Sequence, residues 1–206
     1  MKVLKCDAAP DAAAQAAEAL RSGDVIIYPT DTLYGMGCDS MNPQAISRVY
    51  SIKKLNKRKH LTLLCCDIEQ ISKYAQLSNT AYKLLKRLLP GPYTFILPAT
   101  RLVPRIVIDS QRKVGIRVPD NEICLEIIRQ LGRPVLNTSA SYDDEDSDKN
   151  DPDIIKDKYR EANLLLDCGS LENAQSSVID ISADPPIVVR EGKGDIDTVM
   201  CIMDNA

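Results

Sequence analysis

Apolar and polar positions follow two rhythms along the chain, one helical and one strand-like, and the two take turns. Asp11 to Arg21 reads as an alanine-rich helix closed by Gly23, and the apolar run Asp24 to Tyr28 (DVIIY) as a buried strand stopped by Pro29. Asn42 and Pro43 have the chemistry of an N-cap and a first-turn proline, opening a helix through Lys53; Leu61 to Cys65 (LTLLC) then reads as a strand. Helical spacing returns over Ser78 to Leu89, strand character over Tyr93 to Leu97 and Val114 to Val118, and a helix over Asn121 to Leu131 ends at Gly132. Val135 to Thr138 is a short strand and Pro152 to Arg160 a helix capped by Asp151. Leu164 to Asp167, Val178 to Ile181 and Ile187 to Arg190 complete the strands. Crossovers followed by consecutive late strands predict an α/β domain with a mixed sheet, not a strictly parallel one. No Gly/Ser linker or internal repeat divides residues 1–206, so a single domain is expected, with an exposed loop at residues 142–153.

Composition adds a compartment and a charge pattern. A content of 44% hydrophobic and 27% charged residues suits a soluble globular chain with a sizeable core. The opening MKVLKCD lacks the basic and apolar regions of a secretory leader, and no apolar run approaches a membrane span, so a cytoplasmic location without a membrane partner is expected. The seven cysteines form no C-x-x-C pair and read as reduced core thiols; with His60 the only histidine, no ligand set for structural zinc is evident, and no metal site of protein side chains is expected. The formal net charge is -3, yet residues 143–153 alone hold seven acids and one lysine, which leaves the remainder at +3. Its cations concentrate at Lys53, Lys54, Lys57, Arg58 and Lys59, a patch suited to phosphates or nucleic acid, although such a cluster also serves simply as a solvated loop.

Several common chemistries lack their templates: the chain has no P-loop, no G-x-G-x-x-G turn, no H-E-x-x-H and no G-x-S-x-G elbow. Polar residues gather instead where strands end, the usual place for ligand groups on an α/β sheet. Residues 29–37 (PTDTLYGMG) offer hydroxyls, a carboxylate and a phenol, with two glycines that permit either close backbone approach or positive φ. Residues 90–94 (PGPYT) form a turn that delivers Thr94. Arg117 in GIRVP sits inside an apolar strand, where it needs an anionic or carbonyl partner; a structural ion pair accounts for it as well as a ligand does. NTSAS at residues 137–141, SSVID at 176–180 and VVREG at 188–192 complete the set.

In this order, PTDTLYGMG, PGPYT, GIRVP, NTSAS, SSVID and VVREG resemble the YrdC-like threonylcarbamoyl-adenylate synthase family over about residues 11–194. The resemblance implies a twisted mixed sheet with helices and a large concave basic cavity. It implies a nucleotidyltransferase that converts ATP, bicarbonate and L-threonine into threonylcarbamoyl-AMP and pyrophosphate, with Mg2+ accompanying ATP. A downstream threonylcarbamoyl transferase would then pass the group to tRNA. Carried over by motif, Thr32, Tyr34, Thr94 and Ser177 would contact threonine, and Arg117 would anchor the threonine carboxylate or a phosphate. Lys53 and Arg58 would serve the ATP phosphates and catalysis, and Asn137, Ser139, Ser141 and Arg190 would bind the nucleotide. Thr32→Val is expected to weaken threonine binding while changing folding little.

Three departures point to the YciO branch of that family. Its usual lysine-x-arginine-proline run reads Lys53-Lys54-Leu55-Asn56, leaving Lys57, Arg58 or Lys59 to supply the missing cation; S-A-N-x-S-G reads SASYDD; and residues 60–67 read HLTLLCCD. Two other readings stay open. One is a branch enzyme acting on a related carboxylated amine. The other is a double-stranded RNA or ribosome-associated binding protein without this chemistry, although a single phenylalanine and no tryptophan disfavour base-stacking recognition.

Overall fold

The structure, a computed structural model, describes residues 1–6, 11–56, 61–141, 150–172, 174–183 and 185–204. Its elements in chain order are β1 (Lys2–Lys5), α1 (Ala12–Arg21), β2 (Ile26–Tyr28), β3 (Gly35–Asp39), α2 (Pro43–Ile52), β4 (Thr62–Leu64), α3 (Ile68–Tyr74) and α4 (Asn79–Leu88). There follow β5 (Tyr93–Pro98), β6 (Lys113–Arg117), α5 (Glu122–Leu131), β7 (Val135–Ser139), α6 (Pro152–Lys158), β8 (Leu164–Asp167), β9 (Ser177–Asp180), β10 (Ile187–Arg190) and α7 (Ile196–Asp204). Local chemistry sets the helix ends. The Asn42 side chain accepts from the Gln44 and Ala45 amides, Asn121 from Cys124 and Ser78 from Ala81, each satisfying donors that the first helical turn leaves over. At the other end of α5, Gly132 takes the left-handed conformation at φ 78° without a Cβ penalty. Four elements were not predicted: β1, β3, α3 and α7.

Ten strands form one sheet in the order β1-β8-β2-β3-β7-β4-β6-β5-β9-β10. The pairs β1·β8, β8·β2, β4·β6 and β5·β9 are parallel and the other five antiparallel, so the sheet is mixed, as expected. Period-two alternation sends neighbouring side chains to opposite faces. Ile26, Tyr28, Leu64, Leu164 and Leu166 join a cluster with α1 and α5, while Ile27, Leu63 and Leu165 join the larger core with α2 and α4. A strand such as IIY is therefore apolar throughout because both of its faces are covered.

The cysteines depart from the expectation of seven reduced thiols. Cys6, after β1, and Cys168, after β8, form a disulfide with a Cα–Cα distance of 5.1 Å, because parallel pairing of β1 with β8 brings their ends together. Cys38, Cys65 and Cys124 are buried free thiols as expected, Cys66 is half-buried and Cys201 exposed. Among the described residues no helix is long and apolar enough to cross a membrane, and no group of three His, Cys, Asp or Glu side chains could hold a metal ion.

Candidate functional site

On the sheet face that carries α1 and α5, side chains become small and polar toward β5. Register places Ile96, Gly115, Thr62 and Asn137 in one row across β5, β6, β4 and β7. Alternation puts Thr62 on the face of Leu64 and Asn137 on that of Val135, both packed in the α1/α5 cluster. This row lies in the lining of a cleft of about 860 Å³. Gly115 adds no side chain, leaving room beside Thr62 and Thr94. Among the described residues the cleft is lined by six cations, Lys53, Lys54, Lys113, Arg117, Lys158 and Arg190, against two acids, Asp109 and Glu161.

The segment from Thr30 to Gly35 enters the cleft after β2, and its hydroxyls are tied into a network. Thr30 Oγ1 donates to the Leu33 carbonyl at 2.6 Å, so in its 3.0 Å contact with Thr32 Oγ1 the proton comes from Thr32. Thr32 Oγ1 in turn accepts from Arg117 NH1 at 2.9 Å, and Arg117 NH2 donates to Asp31 Oδ1 at 2.5 Å. The structural ion pair is therefore present at Arg117, which is 6% exposed; Arg117 Nε and Asp31 Oδ2 are both buried without a hydrogen-bond partner. Burial pulls the Arg117 pKa below its ordinary value, and Asp31 opposes that shift. The Thr32 hydroxyl is consequently part of the scaffold as well as the lining, which overturns the expectation that removing it changes folding little.

Tyr34 borders the cleft, but its hydroxyl donates to the Gly169 carbonyl at 2.8 Å and accepts from the Cys168 amide at 3.0 Å. Burial pushes that phenol up to about 12. Its backbone amide donates to Asn150 Oδ1, so the turn at Cys168 and Gly169 is fastened to the PTDTLYG segment through one residue. Asn137, also in the lining, accepts from the Tyr28 hydroxyl at 2.8 Å.

Of the other residues assigned from sequence, Lys53, Thr94, Ser139, Ser141 and Arg190 line the cleft. Lys53 caps the end of α2, and its Nζ donates to the Ser141 carbonyl and the Tyr159 hydroxyl at 2.9 and 2.8 Å. Arg190 donates through Nε and NH2 to the Ser176 carbonyl, and through NH2 to Ser176 Oγ, which sits 3.1 Å from Thr94 Oγ1. Ser177 is not brought to the cleft. It is fully buried, its hydroxyl donating to the Gly194 carbonyl and accepting from the Gly192 amide, because alternation turns it away from the face that Val178 presents. Its neighbour Ser176 holds the position expected of it. Arg58 lies outside the described residues, as do Lys57 and Lys59.

Sequence reasoning missed Thr62, Lys113 and the pair Lys158 and Tyr159. Thr62 and Lys113 stand inside or beside predicted strands and become visible only through register. Lys158 and Tyr159 close α6, where no motif marks them.

Known proteins supply the context for this geometry. The Sua5/YciO/YrdC family model, described as telomere recombination, matches residues 18–192. Uncharacterized protein YciO of Escherichia coli is 40% identical over 184 residues, spanning 88% of this chain and 89% of its own. The crystal structure of E. coli YciO superposes with a TM-score of 0.86 at 36% identity, covering 95% of this chain and 96% of that one. Pyrococcus abyssi threonylcarbamoyl-AMP synthase is 30% identical over 86% of this chain and 53% of its own length. The structure of P. abyssi Sua5 complexed with L-threonine superposes with a TM-score of 0.89 at 25% identity, covering 98% of this chain and 60% of that one. By sequence over most of its length and by fold, the chain belongs to the Sua5/YciO/YrdC family, which includes threonylcarbamoyl-AMP synthases.

Proposed function

We propose that the chain is an L-threonylcarbamoyl-adenylate synthase, a nucleotidyltransferase that consumes ATP, bicarbonate and L-threonine and releases pyrophosphate. The observation that carries this reading is the cleft itself, lined among the described residues by six cations and two acids around a floor of glycine and hydroxyl side chains. Its volume of about 860 Å³ lies toward the upper end of small-molecule sites.

The chemistry asks the protein for position and charge. The threonine amine, once deprotonated, takes up carbon dioxide from bicarbonate as a carbamate with loss of water. A carbamate oxygen then attacks the α-phosphorus of ATP, the bond to the β-phosphate bridging oxygen breaks, and pyrophosphate leaves. No enzyme nucleophile enters, and in-line placement with cations beside the developing charge supplies the rate. In this reading Thr32, Thr94 and Ser176 frame the amino acid. Thr32 Oγ1, whose proton goes to Thr30, can only accept from a ligand. Lys53 faces the phosphates, and Asn137, Ser139, Ser141 and Arg190 surround the nucleotide end. Mg2+ would arrive on the triphosphate and neutralise its charge, since among the described residues the cleft's carboxylates are Asp109 and Glu161 and no three-ligand cage exists. The product would serve a transferase that modifies tRNA.

A second reading, an enzyme acting on a related carboxylated amine, is favoured by one observation. Lys53-Lys54-Leu55-Asn56 stands where synthases of the family carry lysine-x-arginine-proline. Product analysis decides: protein, ATP, bicarbonate and labelled threonine are expected to yield threonylcarbamoyl-adenylate and pyrophosphate, each substrate being required. Pyrophosphate release that depends on bicarbonate and a different amine, with no threonine product at high enzyme concentration, would overturn the first reading in favour of the second.

A further inference from the structure

Gly115 is a glycine that the fold itself does not require. Of the chain's nine glycines, three take positive φ, and a Cβ on any of five others would lie closer than 3.0 Å to a neighbouring atom. Neither condition holds at Gly115. Its φ is not positive, and among the described residues a Cβ there would meet Thr62 Oγ1 and Thr94 Cγ2 at 3.5 Å, ordinary van der Waals contact. Yet β6 is an interior strand, paired with both β4 and β5, where glycine costs backbone entropy and contributes no packing. A bare position of this kind, opening on a cleft, marks the close approach of something other than the protein.

The surroundings define its chemistry. Register sets Ile96 of β5 and Thr62 of β4 on either side of Gly115, so the bare floor is one residue wide and suits a flat group. Alternation puts Lys113 and Arg117 on the same face of β6, each about 7 Å from Gly115 along the strand. Both line the cleft. Among the described residues, Lys113 gives one of its three ammonium donors to Asp180 Oδ2 at 2.9 Å. Arg117, 6% exposed, spends NH1 on Thr32 and NH2 on Asp31, while its Nε is buried without a partner. A flat floor with a cation beyond each end and a hydroxyl at one side matches a planar group bearing negatively charged oxygens.

We propose that Gly115 is a specificity-determining residue whose bare backbone seats a planar carboxylate-type group of the amine substrate between Lys113 and Arg117. Two groups of that chemistry occur in the reaction proposed above, on which this assignment rests: the amino acid's own carboxylate and the carbamate formed on its nitrogen.

Gly115→Ala in the full chain tests the seat, because the methyl group takes space from the ligand and none from the protein. Without ligand, the variant is expected to melt at or above the wild-type temperature. Calorimetric titration then compares L-threonine, N-carbamoyl-L-threonine, which is isosteric with the carbamate, and ATP. Binding of N-carbamoyl-threonine should weaken roughly tenfold or more, the effect of one misplaced methyl, with ATP affinity unchanged. An equal loss for threonine assigns the seat to the carboxylate, and unchanged threonine affinity assigns it to the carbamate. Wild-type affinity of the variant for N-carbamoyl-threonine overturns the seat, as does a loss of the same size for ATP or a lowered melting temperature. If the wild type binds neither threonine compound, yet bicarbonate alone raises its Tm and Gly115→Ala abolishes that rise, only the threonine reading fails. Absence of that rise as well overturns the seat. Synthesis of threonylcarbamoyl-adenylate by the variant at the wild-type rate would fail the seat alone.

Discussion

Replacing Thr32 with valine tests whether the cleft and the core share one hydroxyl. Valine keeps the branched shape, so no cavity opens, but it removes the acceptor of Arg117 NH1 and the donor to Thr30. Arg117 is 6% exposed and its Nε already lacks a partner, so the change leaves a second N–H group of a buried guanidinium unsatisfied. That costs about 1–3 kcal/mol, toward the upper end because the donor is charged. With an unfolding entropy of ~2.1 cal/mol/K per residue, a chain of 206 residues should lose roughly 2–7 °C in Tm. Thr32→Ser keeps the hydroxyl and deletes one methyl, so it should cost less, about 0.5–1.5 kcal/mol. Thermal melts followed by circular dichroism, without ligand, give the comparison. In an Arg117→Met background the valine change should shrink to a few tenths of a kcal/mol, the non-additivity expected of two residues in contact. A Thr32→Val protein that melts with the wild type, or above Thr32→Ser, would refute the shared-hydroxyl reasoning.

Other substitutions probe the same scaffold. Gly37→Ala would place a Cβ 2.6 Å from the Leu136 carbonyl and 2.7 Å from the Tyr28 hydroxyl, so a loss of about 1–3 kcal/mol is expected in urea unfolding, and unchanged stability would contradict the packing described. The Tyr34 phenol is held protonated up to about 12, against an unfolded value near 10; the folded state therefore binds more protons across that window, and stability falls as pH rises through it. Tyr34→Phe should flatten part of the alkaline decline seen in pH-dependent melts, whereas a slope identical to wild type would place the titration elsewhere. Alkylation of the denatured, unreduced chain followed by mass spectrometry should label five cysteines, leaving Cys6 and Cys168 unmodified; labelling of all seven would rule out the bond.

Legibility in the sequence divides along physical lines. Caps such as Asn42, Asn121 and Gly132 and runs such as DVIIY act within a few residues, so they were readable in place. The strand β3 is not legible in the sequence because GMGCD has no β-branched residue. Antiparallel partners on both sides, β2 and β7, impose the strand against that composition. Its glycines answer to close approach of Tyr28 and β7, not to positive φ, one of two alternatives the sequence left open. Ser176 and Ser177 are chemically equal in sequence, and only register with β5 decides which one reaches the cleft. The partnership of Cys6 with Cys168 and that of Lys53 with Tyr159 depend on contacts across more than a hundred residues, for which the chain carries no local mark.

The edge strand β1 has a consequence for how the chain comes off the ribosome. Among the described residues its one sheet partner is β8, with Lys2 opposite Leu164, so this strand is joined by one synthesised about 160 residues later. At a translation rate of about 5–20 residues per second, that interval is roughly 8–32 s, during which β2 can pair with β3 but β1 has no neighbour. Nascent chains stalled short of residue 164 should therefore leave the amino-terminal segment open to proteases, and release of β8 from the exit tunnel should close it.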